Sequence, residues 1–234
     1  MNIDRHVIAP QAVADIVRRQ LITRDSFRLL DAMDPITDSD GKTYFVIPRG
    51  TAGHDARRAA LLTYILNAGT GYGRAGTRSD FPETPYGAAE VQRIIDRQRA
   101  NRWSYEAVRG VCATGGCVVT TPNGVLMGLG GNRIHAQFSR RGGTMWGDLF
   151  MVNISAVPDP AGRLRDIVES GRPYPGGPDL DRLLHHEEIH AQQWATLGPA
   201  HMTMRYLAEE AKVRTLGGAN RFEKEAGLSD GGYR

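Results

Sequence analysis

The chain has 234 residues, 29 Lys and Arg against 26 Asp and Glu for a net charge of +3, and 41% apolar residues. This length fits one large domain or two small ones with enough apolar content to bury a core, and the charge excess is too small to imply a nucleic-acid partner. No stretch approaches the ~20 apolar residues of a membrane helix, and Met1 to His6 lacks the apolar core of a signal peptide, so a cytoplasmic protein, or one secreted without a classical leader, is expected.

The first half reads as mainly helical. Residues 9–32 carry apolar residues at helical spacing (Val13, Ile16, Val17, Leu21, then Phe27, Leu29 and Leu30). Thr43 to Ile47 reads as a short strand ending at Pro48. Residues 54–68 return to helical spacing through Ala59, Leu62, Ile65 and Leu66, and Gly69 to Gly87 is rich in turn residues and reads as a loop. Residues 87–107 predict a basic amphipathic helix with Val91, Ile94 and Ile95 inward and Arg93, Arg97 and Arg99 on a solvated face.

The character then changes. Cys112 and Cys117 flank a Thr-Gly-Gly turn at a spacing unlike a zinc knuckle, and are expected as buried free thiols. Val118–Thr121, the turn Pro122-Asn123-Gly124 and Val125–Met127 predict a hairpin, and Arg133–Phe138 and Leu149–Ile154 predict further strands. The expected fold class is α+β: a mainly helical region over 1–110, then a small sheet, a motif-bearing helix and further helices over 111–234.

That motif is His186-Glu187-Glu188-Ile189-His190. Positions four apart project from the same helix face, so His186 and His190 can share one metal ion, with Glu187 beside them as a base for water. Pro178-Asp179 is a start signal with Asp179 as N-cap, and Gly198-Pro199 is a stop signal. Leu180, Leu183, Leu184, Ala191 and Trp194 form the inward stripe. His185 points away from this face, and Gln193, near one turn past His190, is placed to line the site, to hydrogen-bond a ligand or to lie on the surface.

A catalytic zinc usually takes three protein ligands. No His follows at the HExxHxxGxxH spacing, where Thr196 stands, so a carboxylate is expected. Glu210 lies twenty residues past His190, similar to the spacing in thermolysin-like enzymes, in a helix with Met204, Leu207, Ala208 and Ala211 on its apolar side; its other reading is a solvated face. Glu223 lies three residues after Asn220, a spacing that also fits a capping box.

The run from His186 to Gln193, HExxHxxQ, resembles minimal zincin-like domains of bacterial proteins, some attached to polymorphic toxins. In those domains a later Asn-x-Phe-Glu-x-x-Ala segment looks like the source of the carboxylate ligand. Here it is matched by Asn220, Phe222, Glu223 and Ala226, so the resemblance implies Glu223. Thr144 to Val152 also looks like the strand that precedes the motif helix in that group. The resemblance covers about residues 130–230. Many gluzincins place an Asp four residues after the ligand Glu, and here Gly227 occupies that position.

The implied function is a Zn2+-dependent metallopeptidase acting on a peptide or protein, with zinc on His186, His190 and Glu223 and Glu187 as the base. The oxyanion needs a further donor, for which His135, His201, Arg205 and Tyr206 are candidates by residue type. The alternative from a different class is a non-catalytic, zinc-stabilised binding or regulatory protein. For the helical first half the readings are a substrate-recruiting module, an inhibitory segment or a DNA-binding module.

Overall fold

The structure is a computed structural model and describes residues 10–68, 70, 86–131, 143–154 and 157–233. It is a mixed α and β fold, with helices on both faces of a six-stranded sheet. In chain order, α1 (Pro10–Gln20) and a short α2 (Arg28–Asp31) precede β1 (Asp34–Thr37) and β2 (Thr43–Val46). Then come α3 (Gly53–Leu66), α4 (Ala88–Ala100), a 3-10 turn (Arg102–Glu106) and α5 (Ala107–Ala113). Strands β3 (Cys117–Thr120), β4 (Leu126–Leu129), β5 (Gly143–Trp146) and β6 (Leu149–Val152) follow. The chain closes with α6 (Pro160–Ser170), α7 (Leu180–Leu197), α8 (Pro199–Leu216) and α9 (Arg221–Ala226).

The sheet order is β1-β2-β3-β4-β6-β5, antiparallel throughout except for the parallel pair β4 and β6. The expected hairpin forms with Cys117 opposite Leu129 and Thr120 opposite Leu126. Strands β3, β4 and β6 are buried along their whole length, which is why they read as nearly unbroken apolar runs. Their side chains alternate between two cores. Val119, Met127 and Phe150 face α6 and α7, while Val118, Leu126 and Leu149 face α3 and α5.

Several expectations are redrawn. The helical spacing of 9–32 is interrupted at Leu21, whose φ of 49° lies in the left-handed region. Strand β1 was not expected: Pro35 masks it, yet as an edge strand it needs to pair on one side only. Two of the six strands thus come from the first 110 residues, and the sheet runs across that boundary. The basic helix ends at Ala100, and Arg97 is not on a solvated face but 1% exposed. On α8 the expected apolar side is not covered, with Met204 59% and Leu207 53% exposed. Helix α6 carried no sequence expectation, and the strand expected at 133–138 lies outside the described residues. Cys112 and Cys117 are buried free thiols on the two sides of the sheet. Among the described residues no helix is long and apolar enough to cross a membrane.

Candidate metal centre

Helix α7 begins as its sequence dictates: the Asp179 side chain accepts from the backbone N–H groups of Asp181 and Arg182 at 3.0 and 3.2 Å. Its stripe of Leu180, Leu183, Leu184, Ala191 and Trp194 is buried against the sheet. That packing fixes the rotation of α7 and turns His186 and His190 toward α9 rather than toward water.

Three ligand-type atoms meet there. His186 Nε2 and His190 Nε2 are 3.1 Å apart, and Glu223 Oε2 lies 3.4 and 3.3 Å from them. A metal held at about 2.0–2.1 Å by three corners of a tetrahedron spaces its ligand atoms roughly 3.3 Å apart. Among the described residues this is the one group of three or more His, Cys, Asp or Glu side chains so arranged.

The hydrogen bonds behind these candidate ligands orient the two rings. His186 Nδ1 lies 2.9 Å from the carbonyl oxygen of Gly227, which can only accept, so Nδ1 carries the hydrogen. His190 Nδ1 lies 2.8 Å from Gln193 Oε1, and the Gln193 amide is oriented by its own donation to Phe222 O at 3.1 Å. Each Nε2 is then the ring nitrogen turned inward, toward the other imidazole and the Glu223 carboxylate oxygen at contact distance. Such a cluster needs positive charge at its centre, supplied by a proton shared with Glu223 or by a metal ion. Tyr206 Oη donates to the other oxygen, Glu223 Oε1, at 2.7 Å.

The electrostatics agree. Burial works against the Glu223 anion, but the hydrogen bonds and charges of His186 and His190 outweigh it and hold the carboxyl well below the usual range. Burial likewise opposes a charged His190, and Glu223 reverses the sign, so His190 is drawn toward the cationic form. Glu187, on the same turn, is pushed up to about 8 by burial, with His186 opposing and Glu223 adding to the shift.

Of its two sequence readings, Glu223 does not close a capping box and does join the cluster. Asn220 caps α9 by accepting from Phe222 N at 2.9 Å, while the Glu223 carboxylate turns into the cluster instead of back onto the cap. Glu210 is not in the triad; its carboxylate accepts from Asn220 Nδ2 at 2.9 Å and so steadies the cap beneath Glu223. Gly227 stands where many gluzincins carry an Asp, and its backbone carbonyl takes the His186 Nδ1–H. Of the donor candidates, Tyr206 is at the site, His201 and Arg205 are exposed on α8, and His135 lies outside the described residues.

Sequence reasoning missed what holds the back of α7. Glu188, the second Glu of the motif, is fully buried on the opposite side, with Arg97 Nη1 at 3.1 Å, Arg93 in direct contact and His185 Nδ1 at 3.5 Å. Arg97 also reaches Asp148 at 3.3 Å and donates to Gly124 O at 2.8 Å. Asp148 accepts from Asn101 Nδ2 and Tyr105 Oη, each at 2.7 Å. Burial disfavours the Glu188 anion, but the His185 hydrogen bond and the two guanidiniums overcome it and hold the carboxyl at about 2. The sequence signal was its place on the stripe, four residues after Leu184 and three before Ala191.

No protein-family model, curated protein or solved structure matches this chain.

Proposed function

We propose that the protein is a zinc-dependent hydrolase, in the first instance a metallopeptidase with a zincin-like arrangement of small sheet, motif helix and following helices. One observation carries this reading: two imidazole Nε2 atoms and one carboxylate oxygen converge at 3.1–3.4 Å, with both Nδ1 atoms committed to oxygen acceptors. Two imidazoles and a carboxylate are a donor set suited to zinc, with one coordination position left open. When bound, zinc would supply Lewis acidity toward a carbonyl and toward water, and its charge would draw the Glu187 carboxyl down into its basic form.

The residues then divide the work. Glu187 takes a proton from the attacking water as its oxygen bonds to the peptide carbon. The same carboxyl passes that proton to the amine as the C–N bond breaks. Gln193 and Gly227 hold the imidazoles with Nε2 free. Tyr206 orients Glu223 so that one oxygen faces the imidazoles.

Elemental analysis of protein purified without added metal or chelator tests the site. The expected result is near-stoichiometric zinc in the parent, lost in His186→Ala, His190→Ala and Glu223→Ala. Zinc retained by Glu223→Ala would remove Glu223 from the ligand set. No zinc in the parent, even after zinc is supplied, would defeat the proposal.

A subtler variant is Tyr206→Phe. Its ring stacks on Phe222 at 6.1 Å, and that contact survives loss of the hydroxyl. Removing the donor to Glu223 should weaken zinc binding by about ten- to a hundredfold in chelator competition, and should lower the thermal midpoint of the metal-free protein by no more than the loss of one hydrogen bond to a buried carboxylate.

The burial of the site supports a second reading. His186, Glu187, His190 and Glu223 are each no more than 6% exposed. That suits a metal-stabilised binding or regulatory scaffold as well as an enzyme. Zinc-loaded protein that cleaves nothing in a peptide library would favour the scaffold.

A further inference from the structure

The segment that follows α9 closes over His186. Gly227 O accepts the His186 Nδ1–H, and the same oxygen accepts from Gly231 N at 3.2 Å. Gly231 then lies against the imidazole itself: a Cβ there would stand 2.4 Å from Cε1 and 2.7 Å from both ring nitrogens. Carbon contacts settle at ~3.5–4.0 Å, so no side chain larger than hydrogen fits unless the ring moves. The backbone does not ask for glycine here, since Gly231 is not among the positive-φ residues, whereas Gly227 and Gly232 are, at 90° and 79°. The requirement at Gly231 is one of space. Tyr233 completes the cover, its ring 6.2 Å from that of His186 and tilted by 36°.

This segment is tied to α7 at Asp230 as well. Arg182 forks onto Asp230, Nε to Oδ1 at 3.1 Å and Nη2 to Oδ2 at 2.7 Å, and both side chains are about 5% exposed. Two parallel charge-assisted hydrogen bonds in a buried place hold distance and orientation together. Arg182 is on α7 four residues before His186, so it projects from the same face. Helix α7 therefore grips the segment through Arg182, and the segment grips the next turn of α7 through His186.

We propose that residues 227–233 form a strap that fixes the rotamer and tautomer of His186, and that Arg182 and Asp230 are positioning residues acting through it. The proposal deepens the metal-centre reading above and rests on it for its effect on metal affinity. Its effect on the imidazole stands without any metal. The ring is sandwiched between Gly231 and its own helix, with Nδ1–H pinned to Gly227 O. Freed of the strap it would sample other rotamers and the other tautomer, and part of each binding event would be spent restoring the competent one.

The test uses the full chain with Gly231→Ala, Arg182→Lys and Asp230→Asn, and with Gly110→Ala as a control. Gly110 is exposed in α5 and has open space around its Cα. Three quantities are read: Co2+ affinity by chelator competition, the visible spectrum of the Co2+ form, and the imidazole 15N shifts of His186 in metal-free protein. The expected result for the strap variants is a roughly ten- to hundredfold loss of Co2+ affinity. The Co2+ spectrum should change, and the His186 shifts should move from the Nδ1–H form toward tautomer averaging. Gly110→Ala should match the parent in all three. Arg182→Lys keeps the charge but not the fork, so an intermediate effect there supports the role of the fork.

Strap variants with parental Co2+ affinity and parental His186 shifts would overturn the proposal. A parent that binds neither Co2+ nor Zn2+, while its His186 shifts still respond to Gly231→Ala, would overturn the metal reading and leave the strap standing. Should Asp230→Asn fail to fold, Gly231→Ala and Arg182→Lys decide the matter.

Discussion

On the proposed hydrolase reading, Glu187→Gln is expected to keep the parent's zinc content and to cleave peptide substrates ~10²–10⁴-fold more slowly than the parent. The expectation follows from where Glu187 stands. It shares a helical turn with His186 and is buried, and it is close enough to His186 and Glu223 to feel both charges, yet it is not one of the three converging ligand atoms. Glutamine matches glutamate in size and can still hydrogen-bond, so the metal ligands and the packing of α7 are undisturbed. What it cannot do is accept a proton at the pH of the assay. The measurement pairs elemental analysis with initial rates on the same preparations. An active Glu187→Gln protein would sink the assigned mechanism, whereas loss of zinc would make Glu187 part of the ligand set.

Arg97→Met is expected to destabilise the protein by about 3–5 kcal/mol, the cost of leaving buried carboxylates without their cation. Arg97 lies between Asp148 on the β5–β6 turn and Glu188 on α7, and all three side chains are fully buried. Methionine fills much of the same volume, so lost packing is a small part of the effect. For a chain of this length a loss of that size lowers the thermal midpoint by about 6–20 °C. Calorimetry of metal-free parent and variant measures it directly. A midpoint within about 2 °C of the parent would mean that Asn101, Tyr105 and Arg93 satisfy the two carboxylates by themselves. Because Glu188 backs the turn that carries His186 and His190, a folded Arg97→Met protein should also bind zinc more weakly. The double variant Arg97→Met with Glu188→Gln should recover part of the lost stability by removing one of the stranded charges.

Much of the candidate site was legible because it depends on local rules. A start signal, a helical stripe and a stop signal fix α7, and spacing of four puts two imidazoles on one face whatever the rest of the chain does. The α9 start was readable for the same reason, since Asn220 caps its own helix. The hairpin of β3 and β4 was fixed by turn chemistry at Asn123-Gly124 and by apolar runs on either side.

Other features answer to no local rule. That Glu223 rather than Glu210 joins the imidazoles depends on how α8 and α9 pack on α7, and both residues carried the right chemistry. Tyr206 differed in no way from His201 or Arg205 as a candidate until the fold placed it against Glu223. A backbone carbonyl at Gly227 has no side chain to announce it, so the missing Asp looked like a missing contact. Arg97 looked like one more arginine on a basic helix; Asp148 and Glu188, 51 and 91 residues further along the chain, decided its burial. Spacing within one or two turns and local turn chemistry set the motif helix, its metal-capable face, the β3–β4 hairpin and the candidate ligands, but not β1, α6 or the break at Leu21. Only the tertiary structure chose among the candidates, since the energy of a buried charge or a shared ligand atom depends on partners that chain distance does not order.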